Sequence, residues 1–180
     1  ITRHKLAVCD VDGVLRGKYV ERKKFLSVAE KGLGFCDVVL GWDSADALYD
    51  GVKVAGWHTG YRDAPVALDL GTLRRVPFED RTALLLGSFT GDYACACPRT
   101  LLGRVADRAL AMGYGVSAAL EYEFFLFDET PDSVRDKGYR DLKPLTPGMF
   151  GYSMIRSGTH AELYHELLDT MAELRCPIEG

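Results

Sequence analysis

The sequence predicts an α+β protein, and three observations lead to this class. Short apolar runs separated by glycine and aspartate fill the first half of the 180-residue chain and are typical of strands. Two later segments carry apolar residues at helical spacing, one starting at Pro98 and one ending before Pro177. The pattern changes near residues 92–98. We therefore predict a strand-rich domain over 1–96 and a second domain over 97–180.

The first half opens with a predicted hairpin. HKLAVCDVDG and VLRGKYV indicate two strands joined by a tight turn, in which Gly13 supplies the permissive backbone. SVAEKGLG predicts a short helix that a glycine ends. The runs CDVVLGW, KVAGW, APVALDL and ALLLGSFT predict further short strands. Many strands and little helix fit a small α+β domain.

The second half should begin with a helix and continue into a strand. Pro98 suits a first helical position, and TLLGRVADRALAM keeps apolar residues at helical spacing until Gly113. A strand is expected over 116–127. The following residues, 128–148, are rich in Asp, Gly, Pro and charge, so we expect an irregular excursion there.

The last helix is predicted from its start and stop signals. Thr159 and Glu162 have capping-box spacing, and Pro177 would end the helix. Its core stripe should consist of apolar residues at helical spacing, namely Leu163, Leu167, Met171 and Leu174.

Composition gives no support for several classes of partner. The net charge of −4 gives no electrostatic reason to expect nucleic acid or an anionic membrane. No apolar run approaches the length that spans a bilayer. The odd set of five cysteines suits free thiols in a reducing compartment, so we expect a cytoplasmic protein. Cys95 and Cys97 have no second cysteine pair with which to complete a zinc site.

The run EYEFFLF carries the strongest chemical signal. Residues two apart in a strand share a face, so a strand would hold Glu121 and Glu123 side by side. Two such carboxylates repel and lose hydration unless a cation lies between them. Mg²⁺ and Mn²⁺ prefer oxygen ligands of this kind. The alternative is a half-exposed strand with two solvated glutamates.

Several segments, in order, resemble the glutamine synthetase family. SAALEYEFFLFDE and KGYRDLKPLTPGMFGYS are similar to the start of its catalytic domain. GWHTGYRDAPVALDLGTLRRVPFED and CPRTLLGRVADRALAMGY are similar to the end of its N-terminal domain and the joining helix. VDGVLRGKYV and LLDTMAELRCPIEG match as well, and the branch that includes glutamyl-polyamine ligases is the most similar.

This resemblance implies a small β-grasp-like N-terminal domain followed by the first part of a catalytic domain of the guanido-kinase-like type. The implied activity is an ATP-dependent ligase of nitrogen metabolism, which joins the γ-carboxylate of glutamate to ammonia or an amine through a γ-glutamyl phosphate. Mg²⁺ or Mn²⁺, the co-substrate ATP and a homo-oligomer are implied too. Because the family continues beyond PIEG with further metal-ligand and nucleotide-binding residues, we expect this chain to be an inactive piece of a longer enzyme.

The resemblance also implies roles for particular residues. Glu121 would be a metal ligand on the nucleotide side, and Glu123 a metal ligand on the substrate side. Tyr152 and Ser153, in GYS, match a stretch that runs toward the nucleotide pocket.

An aspartate of the N-terminal domain helps to bind and deprotonate ammonium in this family. WDSAD is the nearest match, which gives Asp43 that role. Asp50, in YDG, and Asp63 are competitors, although we favour a surface loop for both. WDSAD departs from the family pattern, so a bulkier amine is an alternative to ammonia.

Two other functions stay open from the sequence. LAVCDVDGVL resembles the first motif of haloacid-dehalogenase-type phosphatases, in which Asp10 would be the nucleophile and Asp12 the general acid beside Mg²⁺. The strand-rich stretch that follows does not suit that fold, and a polar hairpin turn is the preferred interpretation of both residues. A non-catalytic, truncated family member is the other alternative.

Overall fold

A computed structural model describes residues 1–148 and 150–179. The chain forms two compact units. The first consists of Ile1–Val116 with the C-terminal residues from Thr170 onward, and the second is Ser117–Asp169. Met149 and Gly180, which belong to the family-like segments quoted above, lie outside the described residues. The α+β class is confirmed.

A five-stranded mixed sheet organises the first unit. Its strands are β1 Arg3–Cys9, β2 Leu15–Glu21, β3 Leu33–Cys36, β4 Asp63–Arg75 and β5 Thr82–Phe89. Their spatial order is β2-β1-β5-β4-β3. β1 and β5 are parallel, and the other neighbouring pairs are antiparallel. The predicted strands APVALDL and ALLLGSFT correspond to β4 and β5.

The predicted hairpin is confirmed. β1 and β2 pair in register from Arg3 with Glu21 to Cys9 with Leu15. Gly13 adopts a φ of 84° in the connecting turn, a conformation that costs a glycine little.

Helix α1, Arg22–Lys31, confirms the predicted short helix and starts earlier than SVAEKGLG suggested. Gly32 caps it with a φ of 81°. The predicted strands CDVVLGW and KVAGW are wrong. Asp37–Leu40 is a 3₁₀ turn, and residues 50–61 form turns and bends. Their backbone groups bond locally, as from Gly41 N–H to the Val38 carbonyl, instead of to a neighbouring strand.

The buried core of the described residues ends at Cys97. Alternating side chains of β1 and β5, such as Leu6, Val8, Leu85 and Phe89, supply its centre. Residues of α1, β3, the 3₁₀ turn and β4 also belong to it: Val28, Leu33, Phe35, Val39, Leu40, Ala64 and Val66. Burial of this apolar surface is the main term that stabilises the sheet.

The remaining helices are α2 Pro98–Ala111, α3 Pro131–Asp136, α4 Met154–Gly158 and α5 Ala161–Glu173. The Pro98 start is confirmed. Helix α3 interrupts the excursion predicted as irregular. No helix of the described residues is long and apolar enough to cross a membrane.

The predicted strand over 116–127 is wrong. Residues 114–126 have no regular secondary structure, and only Phe127 forms a bridge, to Pro144. A strand needs a neighbour for its backbone groups, and its apolar side chains need a surface to cover them. Here Leu120, Tyr122 and Phe125 are each more than 70 % exposed.

The last helix is confirmed as α5, although its predicted cap and core stripe are wrong. The Thr159 hydroxyl donates to the Arg156 carbonyl at 2.7 Å and so belongs to the end of α4. Leu163 and Leu167 are exposed, and the other stripe residues are only half-buried. The helical spacing of these apolar residues therefore predicted the helix correctly, but the described residues do not bury its apolar face.

Candidate active site

Asp43 lies in a short loop just after the 3₁₀ turn of the first unit. Its Oδ1 accepts hydrogen bonds from the backbone N–H groups of Ala45, at 2.8 Å, and Ala47, at 2.9 Å. Its own N–H donates to the Ala47 carbonyl at 3.0 Å. Among the described residues, no protein group bonds Oδ2, and the side chain is half-buried. Asp43 therefore has a fixed carboxylate with one free acceptor oxygen.

Asp10 closes the β1–β2 turn beside this loop. Its Oδ1 accepts from the N–H groups of Asp12, at 3.0 Å, and Val14, at 2.8 Å, while Oδ2 accepts from Arg16 Nε at 2.7 Å. The side chain has no solvent exposure. A phosphoryl-accepting carboxylate must reach its substrate, whereas both oxygens of Asp10 are buried and bonded. The geometry therefore supports the turn interpretation over the phosphatase.

Asp12 links the turn to the Asp43 loop. Its Oδ2 accepts from the Ser44 N–H at 2.8 Å and from the Tyr49 hydroxyl at 3.4 Å. Desolvation and the nearby Asp12 carboxylate raise the pKa of the Tyr49 hydroxyl above its ordinary value. Tyr49 therefore stays protonated near neutral pH and serves as a donor.

The two competitors of Asp43 are exposed. Asp50 lies in a turn, and Asp63 begins β4 opposite Cys36. Neither carboxylate takes part in a hydrogen bond within the part of the chain that the structure describes.

Glu121 and Glu123 belong to the second unit, in the segment without regular secondary structure. Both are exposed. No group of three or more His, Cys, Asp or Glu side chains suited to a metal occurs in residues 1–148 and 150–179. The oxygen donors are of the type that Mg²⁺ or Mn²⁺ requires, but two carboxylates do not complete a coordination shell.

Tyr152 and Ser153 lie next to each other at the start of α4. Tyr152 has a φ of 59° and a fully exposed side chain. Ser153 is the N-cap of the helix, and its hydroxyl accepts from the Arg156 N–H at 3.4 Å. The N-cap bond already occupies the Ser153 hydroxyl as an acceptor.

Sequence reasoning missed the best-connected carboxylate of the second unit, Glu129. Its Oε1 accepts from Lys137 Nζ at 2.5 Å and from the Lys143 N–H at 2.7 Å, and its Oε2 accepts from Ser133 Oγ at 2.5 Å. These bonds, the one from Lys137 first, lower the pKa of Glu129 from 4.5 to about 2. Glu129 thereby connects helix α3, through Ser133, to the residues that follow it, Lys137 and Lys143.

Comparison with known proteins shows which family this chain is similar to. Residues 95–180 match the model of the glutamine synthetase catalytic domain. Type-1 glutamine synthetase 2 of Dictyostelium discoideum is 40 % identical over 98 % of this chain and 34 % of its own length. The chain is related to the glutamine synthetase family.

Two other relatives of the glutamine synthetase type are named for amines. Glutamate–isopropylamine ligase of a Pseudomonas species is 32 % identical over 98 % of this chain and 39 % of its own length. Gamma-glutamylethanolamide synthetase of Streptomyces coelicolor is 31 % identical over 97 % of this chain and 39 % of its own length. The chain thus spans about a third of the length of the curated relatives that it matches.

Solved structures of GmaS have a fold similar to that of this chain. A GmaS/ADP complex superposes with a TM-score of 0.64 at 17 % identity, covering 97 % of this chain and 36 % of that one. Ligand-free GmaS gives a TM-score of 0.63 at 18 % identity, covering 97 % and 37 %. These identities bear on the fold alone. The domain boundary between residues 96 and 97 stays a prediction.

We expect Asp10→Ala to destabilise the first unit by about 3 kcal/mol, because it leaves Arg16 and two turn N–H groups without their buried partner. Urea unfolding followed by circular dichroism measures this loss. Asp12→Ala is the matched control, since its carboxylate bonds are exposed. Unchanged stability together with loss of a phosphatase activity would contradict the turn interpretation.

Glu129 should make the excursion sensitive to acid. Its folded pKa of about 2 lies below the ordinary 4.5, so its stabilising effect is complete above pH 4.5 and is lost as pH falls from 4.5 toward 2. The protection factors of the amide hydrogens of residues 128–143, which correct for the intrinsic pH dependence of exchange, should therefore fall as the pH is lowered through this window. In Glu129→Gln this pH dependence should be much weaker, with fast exchange already at pH 6. Identical profiles for the two proteins would contradict the prediction.

Proposed function

We propose that the protein acts, as a whole, as an ATP-dependent ligase that joins the γ-carboxylate of glutamate to an amine. The observation that carries this proposal is the match over nearly the whole chain to relatives that include a glutamate–isopropylamine ligase and a gamma-glutamylethanolamide synthetase. Both names describe amide formation between glutamate and an amine.

The reaction needs an activated acid, because a carboxylate is a poor electrophile and amide formation is uphill in water. ATP transfers its γ-phosphoryl group to a γ-carboxylate oxygen, which gives γ-glutamyl phosphate and ADP. The neutral amine then attacks the acyl carbon, the C–O bond to phosphate breaks, and inorganic phosphate leaves. The amine gives up one proton to a base before the amide is complete.

Asp43 is the proposed amine-binding residue. An alkylammonium ion is a cation with N–H donors, and the free Oδ2 of Asp43 can accept one of them in a charge-assisted hydrogen bond. The same carboxylate can take the proton that makes the amine nucleophilic. The two bonds to Oδ1 keep the second oxygen in a fixed position.

Other parts of the proposal rest on the family alone. Glu121 and Glu123 are proposed as two carboxylate ligands of Mg²⁺ or Mn²⁺, which would neutralise phosphate charge when bound. Tyr152 and Ser153 are proposed nucleotide contacts. A cytoplasmic homo-oligomer is proposed for the protein.

The experiment that tests this function is a coupled assay of phosphate release. The protein as its host makes it is supplied with ATP, Mg²⁺ and glutamate, and the amine is varied among ammonia, ethylamine, isopropylamine and ethanolamine. We expect phosphate release that depends on both glutamate and an amine, with the matching γ-glutamyl amide seen by mass spectrometry. Phosphate release that is independent of amine, or none, would refute the ligase and favour the non-catalytic alternative.

A further inference from the structure

Arg16 links the β1–β2 turn to the loop that carries Asp43. It lies on β2, and its side chain is only 16 % exposed. Nε donates to Asp10 Oδ2 at 2.7 Å and Nη1 to Asp46 Oδ1 at 2.5 Å, while Nη2 donates to the Asp43 carbonyl at 3.1 Å. The guanidinium carbon lies 4.8 Å from the centre of the Trp42 ring.

These contacts fix the loop at three successive points. The cation–π contact with Trp42 holds the residue before Asp43, and the bond to the Asp43 carbonyl holds the main chain of Asp43. The ion pair with Asp46 holds the loop three residues further on. Asp10 is buried and anchored by backbone N–H groups. Because Arg16 lies on β2 and its guanidinium bonds the loop, the side chain fixes the loop relative to the sheet.

We propose that Arg16 is the positioning residue that orients the Asp43 carboxylate toward a cationic amine. This inference rests on the proposed function and adds one residue on which binding of the amine depends. Arg16 is not the group that binds the amine, because its guanidinium and an alkylammonium ion carry the same charge and repel each other.

The planar fork of arginine is essential to the argument. Three oxygens from three different parts of the loop and turn are bonded at once, which a single lysine ammonium on a flexible stem cannot reproduce with the same geometry. Arg16→Lys keeps the charge and loses the fork. Arg16→Met keeps an apolar side chain against Trp42 and loses every bond.

The test compares two nucleophiles in the protein as its host makes it. Ethylamine is a cation near neutral pH and needs a carboxylate to bind and deprotonate it. Hydroxylamine is largely uncharged there and needs this help much less. Arg16→Met should lower kcat/KM for ethylamine about tenfold or more, since small misplacements of a reacting group are costly. Its kcat/KM for hydroxylamine and its KM for glutamate should change less than about twofold.

Arg16→Lys should lie between wild type and Arg16→Met for ethylamine. Arg3→Met is the matched control, because Arg3 is exposed and donates a single side-chain bond, to the Asp80 carbonyl at 3.2 Å. It should leave both nucleophiles at wild-type rates. Amide hydrogen exchange of residues 43–49 supplies a readout that needs no turnover, and it should accelerate most in Arg16→Met, less in Arg16→Lys and not in Arg3→Met.

The outcomes separate the two proposals. Equal losses for ethylamine and hydroxylamine in Arg16→Met would assign Arg16 a general structural role and overturn the inference. The inference would also be overturned if the wild type is active and Arg16→Met shows unchanged kinetics and unchanged amide exchange of residues 43–49. A wild type without amine-dependent turnover would refute the proposed function itself. Should Arg16→Met fail to fold, Arg16→Lys carries the same comparison.

Discussion

Asp43→Asn should lower kcat/KM for a cationic amine by about 10²- to 10³-fold, or about 3 to 4 kcal/mol, because it removes the charged partner of that amine. The substitution is mild in structure. The asparagine Oδ1 can still accept from the N–H groups of Ala45 and Ala47, so the loop keeps its shape. The free acceptor oxygen Oδ2 is replaced by an amide NH2 group, which carries no charge, takes up no proton and donates hydrogen bonds instead of accepting them.

Steady-state kinetics with ethylamine and hydroxylamine measure this effect. Hydroxylamine should lose much less rate than ethylamine, since it arrives uncharged. Asp50→Asn and Asp63→Asn are the matched controls, and both should stay close to wild type because these exposed side chains have no fixing bonds in the described structure. An unaffected Asp43→Asn together with an inactive Asp50→Asn or Asp63→Asn would move the amine site to the competitor.

Glu121→Gln and Glu123→Gln should each reduce ligase activity by about 10²-fold or more and weaken the binding of divalent metal, since a neutral amide oxygen replaces an anionic ligand. Titration of Mn²⁺ followed by electron paramagnetic resonance measures metal binding without turnover. The two variants should differ in kind, with Glu121→Gln acting more on the KM for ATP and Glu123→Gln more on the KM for glutamate.

A control on the same unit separates charge from ligation. Glu166 is exposed on α5, and Glu166→Gln removes one negative charge as the other variants do. It should leave Mn²⁺ affinity and activity unchanged. If Glu121→Gln and Glu123→Gln also retain wild-type Mn²⁺ affinity, the two glutamates are solvated surface residues and the metal proposal is wrong.

The sequence predicted the first unit well where local signals and burial agree. The β1–β2 hairpin was predictable because Gly13 allows a tight turn between the strand-like runs HKLAVCDVDG and VLRGKYV. α2 was predictable because Pro98 and the helical spacing point to the same start. The strand predicted over residues 36–42 was wrong, because an apolar run suggests a strand whether or not a neighbouring strand is present to pair with it.

The second unit was harder to predict because its apolar residues have few partners in this chain. A strand over 116–127 would place Phe124, Phe125 and Phe127 in a core, whereas their side chains are exposed here. The pairing of Glu121 with Glu123 on one face depended on that strand. The placement of Glu121 and Glu123 on one face therefore stays a prediction, which rests on the chemistry of two neighbouring carboxylates.

The candidate amine site was predictable in part. Asp43 came from a resemblance in WDSAD, while its fixed Oδ1 and free Oδ2 required coordinates. Arg16 gave no signal in the sequence, because its three acceptors are separated from it by 6 to 30 positions. Long-range ion pairs of this kind depend on how the turn and the loop meet, which no local pattern specifies.

The most direct measurement of the central claim follows an oxygen atom. Glutamate labelled with ¹⁸O in the γ-carboxylate is converted with ATP and an amine, and the phosphate is analysed by mass spectrometry. Activation through γ-glutamyl phosphate transfers one labelled oxygen to each phosphate released. We expect that transfer, in step with γ-glutamyl amide formation. Phosphate that carries no label from glutamate would contradict the proposed ligase.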